Sequence, residues 1–269
     1  MEQTIGFIGC GKMAQAMIGG MIQNRQVQPE QVIASARTAE TLHKMREKYG
    51  IRTAEENRTV AREADLLFVA VAPSQHEGVI AEVREAVRPS TLVVTVAAGI
   101  TMQRVAEWFQ ADVKVVRTMP NTPSLVGAGM SALCANERVT EEELARVIAL
   151  FRSFGEVEVI AEKQMDAIPS ISASSPAYVY MMIEAMADGG VRLGLSRDQS
   201  YRLAAQAVLG AAKMVLDTGK HPGELKDQVC SPGGATIAAV SELESQRFRG
   251  AVLAAMEKCF DKVKDLGRE

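Results

Sequence analysis

Short apolar runs alternate with amphipathic stretches from the N-terminus to about residue 160. The runs at 4–8, 32–35, 66–71, 92–96, 113–117, 130–134 and 157–160 predict strands. Several are apolar and β-branched throughout, as expected where both faces of a parallel sheet are covered. Between them, 13–24, 39–49 and 140–153 have helical periods, and Thr140 with Glu143 predicts a capping box on the last. This alternation predicts a doubly wound, Rossmann-type α/β domain over residues 1–161.

Beyond residue 162 the strand pattern stops and Ala/Met/Leu-rich helical patterns take over, predicting an all-helical domain over 162–269. Ser175-Pro176 reads as an N-cap followed by Pro at the first helical position, opening a helix to about residue 194. Ser196 with Gln199 predicts a second capping box and a helix to about residue 217. Shorter helices are expected after His221-Pro222 and from 234 to 245, and a last one from 248 onward. The stretch 201–215 is apolar on most of its surface and must be buried. A tail of roughly one hundred residues cannot hide so many apolar faces in one core. A second copy of the chain is therefore expected to cover them.

Composition narrows the chemistry. A length of 269 residues allows two modest domains, and 47% hydrophobic with 23% charged residues is the balance of a soluble globular protein. The net charge of -3, with both signs dispersed, gives no basic stripe for nucleic acid or anionic lipid, which leaves small-molecule chemistry. The first strand run begins at residue 4, too early for a signal peptide, and the apolar stretch 177–187 is broken by Glu184. A cytoplasmic location is expected. Cys10, Cys134, Cys230 and Cys259 lie far apart and read as reduced thiols. His43, His76 and His221 are equally dispersed, so neither a metal site nor a triad is expected.

The segment Ile5-Gly6-Phe7-Ile8-Gly9-Cys10-Gly11-Lys12-Met13-Ala14 carries the GxGxxA form of the dinucleotide fingerprint. Gly9 permits the tight turn, Gly11 lets the backbone approach a pyrophosphate, and Ala14 allows close helix–strand packing. The motif follows a buried strand, opens a helix and leads to a second strand, the context that such a motif requires. Where an NAD enzyme usually places an acid for the ribose hydroxyls, this chain has Ser35-Ala36-Arg37. A hydroxyl and a guanidinium suit a 2′-phosphate, so NADPH is favoured and NADH stays as the alternative. Cys10 sits beside a helix N-terminus, which can lower a thiol pKa; the competing reading is a small space-filling side chain.

Two further stretches stand out. Arg117-Thr118-Met119-Pro120-Asn121-Thr122-Pro123 follows a strand end. From His221 the chain runs through Cys230-Ser231-Pro232-Gly233-Gly234-Ala235-Thr236, where one helix ends and another begins. Free amides at such a helix start suit a small carboxylate, the glycines allow close approach, and Thr236 adds a neutral hydroxyl. An ordinary turn between helices is the alternative for the glycine pair alone.

Taken in order with the N-terminal loop and Leu243-Glu244, these stretches make the chain resemble the pyrroline-5-carboxylate reductase family over essentially its whole length. The resemblance implies NADPH-dependent reduction of 1-pyrroline-5-carboxylate to L-proline. It also implies a helical dimerisation domain whose helices intertwine with those of a partner, and an active site where nicotinamide from one subunit faces the 231–236 loop of the other. Thr236 would hydrogen-bond the ring nitrogen, and the amides of Ser231, Gly233 and Gly234 would hold the carboxylate, with Ala235, Asn121 and Ser174 nearby. Asn57, Ala70, Val71, Ala72, Pro73 and Ala98 join the Gly-rich loop, Ser35 and Arg37 on the cofactor side.

The chain departs from the family pattern in two places. Ala72 replaces a Lys commonly found between Val and Pro, which removes a positive charge. In Ser172-Ala173-Ser174-Ser175-Pro176-Ala177-Tyr178, Ala173 and Ser175 replace glycines. Tolerated variation is one reading. A paralogue acting on another cyclic imine and a non-catalytic NADP-binding regulator are the others, the retained 231–236 loop counting against the regulator. A β-hydroxyacid reductase would need a catalytic Lys, and neither Lys213 nor Lys226 sits in that pattern. His76 reads as a surface residue, with partial replacement of the lost charge as the alternative.

Overall fold

The computed structural model describes residues 3–267. Among these, eight strands form one sheet: β1 Ile5–Ile8, β2 Val32–Ser35, β3 Arg52–Ala54, β4 Leu66–Val69, β5 Leu92–Val96, β6 Lys114–Met119, β7 Gly129–Ala135 and β8 Gly155–Val159. The helices are α1 Lys12–Gln23, α2 Ala39–Tyr49, α3 Asn57–Glu63, α4 His76–Val83, α5 Met102–Phe109 and α6 Glu141–Arg152, then α7 Ser175–Arg192, α8 Arg197–Thr218, α9 Pro222–Gln228, α10 Ala235–Ser245 and α11 Phe248–Leu266.

The spatial order is β3-β2-β1-β4-β5-β6-β7-β8, and only the β6–β7 pairing is antiparallel. β1 lies between β2 and β4, with Ile8 in register with both Ser35 and Val69. Strand order reverses at this point, so the connections leaving β1 and β4 diverge and open a crevice at their carboxyl ends. On one face Phe7 stacks on Phe68 with centroids 4.4 Å apart, and Phe68 meets Phe151 at 6.1 Å. All three are fully buried, so the floor beneath the crevice is rigid aromatic core.

The sequence pattern missed β3. Its Arg-Thr-Ala run is short, half-exposed and at the sheet edge, with no apolar stretch to mark it. β4 stops at Val69, two residues short of the expected run, because the chain turns there to line the crevice. The box at Thr140 forms as expected: its hydroxyl accepts the Glu143 amide at 3.2 Å and its own amide donates to Glu143 at 2.9 Å. Ser196 and Gln199 form the second box. At Ser175 the expectation needs correction. α7 already includes Ser175, and Ser174 before it is in the right-handed helical region, following a π-helical turn over Pro169–Ala173. The chain thus enters α7 along a helical path instead of from an extended cap.

Packing divides the chain into two units. One comprises residues through Ser174 together with those from Lys258 onward, and the other is Ser175–Glu257. The 162–174 segment belongs to the first because Met165 is fully buried there and Asp166 pairs at 2.5 Å with the buried Arg117. In the helical unit, α8 buries only Ser200 and Ala204, while Leu203 and Leu209 are each 60% exposed and Leu216 81%. These apolar rows have no cover within one chain. No described helix is long and apolar enough to cross a membrane.

Candidate active site

The crevice at the β1–β4 switch is a cleft of about 630 Å³. Of the expected cofactor residues, Ile8, Gly9, Cys10, Gly11, Arg37, Asn57, Ala70, Val71 and Ala72 line it. Gly9 has φ +96°, a conformation that favours glycine, and its amide donates to the Ser35 carbonyl at 3.0 Å. A Cβ there would lie 2.7 Å from the Ala70 carbonyl oxygen, so the turns after β1 and β4 are in contact. Gly11 is the N-cap of α1 and offers no side-chain cap. A Cβ on Gly11 would meet no atom within 4 Å, which leaves room for a group to approach the backbone. The first-turn amides of α1 lack intrahelical acceptors, so the site offers donors, a positive dipole end and space together. A pyrophosphate fits it.

Other expected residues act from behind the cleft. Phe7 is in the core, and a Cβ on Gly6 would strike Ala64 and Val60, so this glycine serves strand–helix packing. Lys12, Met13 and Ala14 form the first turn of α1. Ser35 is fully buried, and its hydroxyl donates to Asn57 Oδ1 at 2.7 Å. It is therefore not the hydroxyl beside Arg37 that the sequence suggested. Thr38 and Thr41, which were missed, line the cleft beside Arg37 at the start of α2. The cue was present, since Thr38 caps α2 by accepting the Thr41 amide. Glu55, also missed, is an exposed acid on the same cleft wall as Arg37 and opposes an anion there. Asn57 is oriented from both ends, since its Nδ2 donates to Glu82 at 2.8 Å. Pro73 lines a smaller cavity with Ile100, Arg104 and Trp108, and Ala98 packs on the β5–β6 core.

Two titratable groups near the cleft differ from simple expectation. Burial pushes the Cys10 thiol up to about 12, overriding the helix terminus, so the space-filling reading holds. In the native protein Cys10 is expected to resist iodoacetamide at neutral pH and to react after denaturation, as peptide mass spectrometry would show; rapid native labelling would contradict this. His76 is not a surface residue. It is fully buried as the first residue of α4, and burial lowers its pKa, so it cannot replace the charge lost at Ala72.

On the substrate side, Asn121 is almost wholly buried and joins two backbone segments. Its Nδ2 donates to the Ser172 carbonyl at 3.0 Å, and its Oδ1 accepts the Met130 amide at 2.9 Å. It braces the loop after β6 through these contacts. The Ser174 hydroxyl accepts from Cys259 Sγ at 3.4 Å. No non-glycine residue between 169 and 178 has positive φ, so the Cβ atoms of Ala173 and Ser175 cause no backbone strain.

Ser231, Gly233, Gly234, Ala235 and Thr236 lie together in the helical unit. Gly233 turns the chain at φ +67°, and Gly234 is the N-cap of α10 without a side-chain cap. The Gly234 amide donates to the Ser231 carbonyl at 3.0 Å, so it is not free for a substrate. Among the described residues the amides of Ser231 and Gly233, two of the three expected donors, make no hydrogen bond, and the first-turn amides of Ala235, Thr236 and Ile237 are open as well. The Thr236 hydroxyl is exposed and makes no hydrogen bond among the described residues.

Comparison with known proteins places the chain in a family. The family described as pyrroline-5-carboxylate reductase dimerisation matches residues 162–266, and the one described as NADP oxidoreductase coenzyme F420-dependent matches 4–99. The pyrroline-5-carboxylate reductase of Escherichia coli strain K12 is 48% identical, with 100% of each chain covered. That of Synechocystis is 39% identical, also with 100% of each covered. The solved pyrroline-5-carboxylate reductase of Coxiella burnetii superposes with a TM-score of 0.90 at 34% identity, covering 98% of each chain. The Plasmodium falciparum pyrroline carboxylate reductase, solved with NADP bound, has a TM-score of 0.90 at 31% identity and covers 99% of this chain and 98% of its own. This chain belongs to the pyrroline-5-carboxylate reductase family of oxidoreductases.

Proposed function

We infer that the chain reduces the C=N bond of 1-pyrroline-5-carboxylate with NADPH, forming L-proline in the last step of proline biosynthesis. The observation that carries this reading is a pairing of two features. One is an open Gly11 phosphate turn flanked by Arg37; the other is an uncapped Gly-rich helix start bearing Thr236. Bound NADPH supplies the hydride that the ring carbon accepts.

The protein's part is binding and orientation. Gly9, Gly11 and the first turn of α1 hold the pyrophosphate, and Arg37 with Thr38 holds the 2′-phosphate against the opposing charge of Glu55. The open amides at the start of α10 hold the substrate carboxylate. The amides of Ser231 and Gly233 add to this donor set, while Asn121 and Ser174 order the nucleotide unit's own loops through Ser172, Met130 and Cys259. The imine nitrogen takes its proton from solvent, and the Thr236 hydroxyl accepts a hydrogen bond from it, keeping the ring in place during reduction. The enzyme acts in the cytoplasm as a homodimer with intertwined helices, in which each subunit's 231–236 loop completes its partner's site. The uncovered leucines of α8 support this assembly.

Cofactor choice tests the nucleotide half of the reading. Arg37→Ala is expected to lower kcat/KM for NADPH by about tenfold, the order of one charge-assisted contact, and to leave NADH kinetics nearly unchanged. Equal effects on both cofactors in steady-state assays would place the 2′-phosphate elsewhere.

A further inference from the structure

We propose that His76 is a positioning residue for cofactor binding: its buried imidazole holds the Ala72 carbonyl and thereby fixes the 69–72 segment against the phosphate turn. The inference rests on NADPH occupying the β1–β4 cleft.

His76 has no exposed surface, and its Nδ1 lies 3.2 Å from the Ala72 carbonyl oxygen. The Gln75 amide donates to the same oxygen at 2.9 Å. Two donors from the start of α4 therefore hold one carbonyl of the cleft wall. That wall touches the phosphate turn directly. The Ala70 amide donates to the Ile8 carbonyl at 2.9 Å, and a Cβ on Gly9 would lie 2.9 Å from Val71 Cγ1. Ala70, Val71, Ala72 and Gln75 all line the cleft, so a shift of this segment moves both its wall and the turn that cradles the phosphates. Donation to a carbonyl requires the proton on Nδ1. The neutral ring is also the form that burial favours. In place of a positive side chain at residue 72, this chain thus has a short alanine whose carbonyl is locked from beneath.

The test uses the full-length protein, with NADPH affinity read by fluorescence titration and kcat measured at saturating NADPH. His76→Leu fills the space without a donor, and the Ala72 carbonyl keeps the Gln75 amide, so the fold should survive. Its NADPH affinity is expected to fall about tenfold while kcat stays within about twofold. His76→Asn, which returns a donor near the Nδ1 position, should recover most of the affinity. Wild-type affinity in His76→Leu, or no recovery in His76→Asn, overturns the proposal. Gly11→Val separates the two levels: lost binding there with intact His76 variants leaves the cleft reading standing and removes His76 from it. Unchanged binding in all three removes both. Should the Leu variant not fold, wild-type protein with 15N-labelled histidine decides the question. An Nδ1-protonated His76 whose signal shifts on adding NADPH supports the role, and an Nε2-protonated or NADPH-indifferent ring overturns it.

Discussion

Gly11→Val is expected to abolish measurable NADPH binding, a loss of at least about 100-fold or roughly 3 kcal/mol, while the chain stays folded. The separation of the two effects follows from the local geometry. Gly11 has φ -67° and ψ 179°, which any residue adopts, and a Cβ there meets no atom within 4 Å. The new Cβ therefore meets no resistance, and exchanging glycine at an N-cap for a branched residue costs only about 1 kcal/mol. The space it fills is the approach to the α1 amides, where a pyrophosphate must sit. Gly9 would make a poorer test. Its φ of +96° and the Ala70 oxygen 2.7 Å from a would-be Cβ mean that substitution there damages the fold as well as the site. Titration with NADPH beside a thermal melt distinguishes the outcomes, and retained affinity in folded Gly11→Val would remove the cofactor from this turn.

Thr236→Ala is expected to reduce kcat by about 10- to 100-fold, the order of one hydrogen bond to a charged group, with NADPH affinity unchanged. Thr236 lies at the second position of α10, beyond the Gly233-Gly234 turn, and its hydroxyl has no described protein partner to lose. Removal of the hydroxyl therefore leaves no buried group unsatisfied, and the cost should appear in turnover and not in stability. Thr236→Ser, which keeps the hydroxyl, should retain most of the activity. A loss of NADPH affinity in Thr236→Ala matching that of Gly11→Val would exclude the role assigned to this residue.

Much of the fold was legible because its signals are local. Buried strands announce themselves as β-branched runs, and the two capping boxes need only residues three apart. β3 was not legible because an exposed edge strand has no apolar signature. In the site, glycine positions were readable since φ and close approach are properties of the backbone at one residue. Side-chain commitments were less so. Ser35 and Asn57 bond to one another across 22 residues, Asn121 bridges to Ser172 across 51, and neither pairing leaves a mark in the local sequence. His76 shows the same limit in reverse. A lone histidine after a Pro-Ser-Gln turn looks like a surface residue, and only the packing of α4 buries it. The exposed leucines of α8 were anticipated because too many apolar faces for one small unit is a matter of counting, independent of how they pack.

The most direct test of the central claim is NADPH oxidation at neutral pH by the purified protein with 1-pyrroline-5-carboxylate, run beside the six-membered imine analogue. Rapid NADPH-linked turnover of the five-membered ring, with proline as product, is the expected result, and it would make Ala72, Ala173 and Ser175 neutral variation. Tight NADPH binding without reduction of this substrate, or clear preference for the larger ring, would contradict the assignment and make those three residues its first explanation.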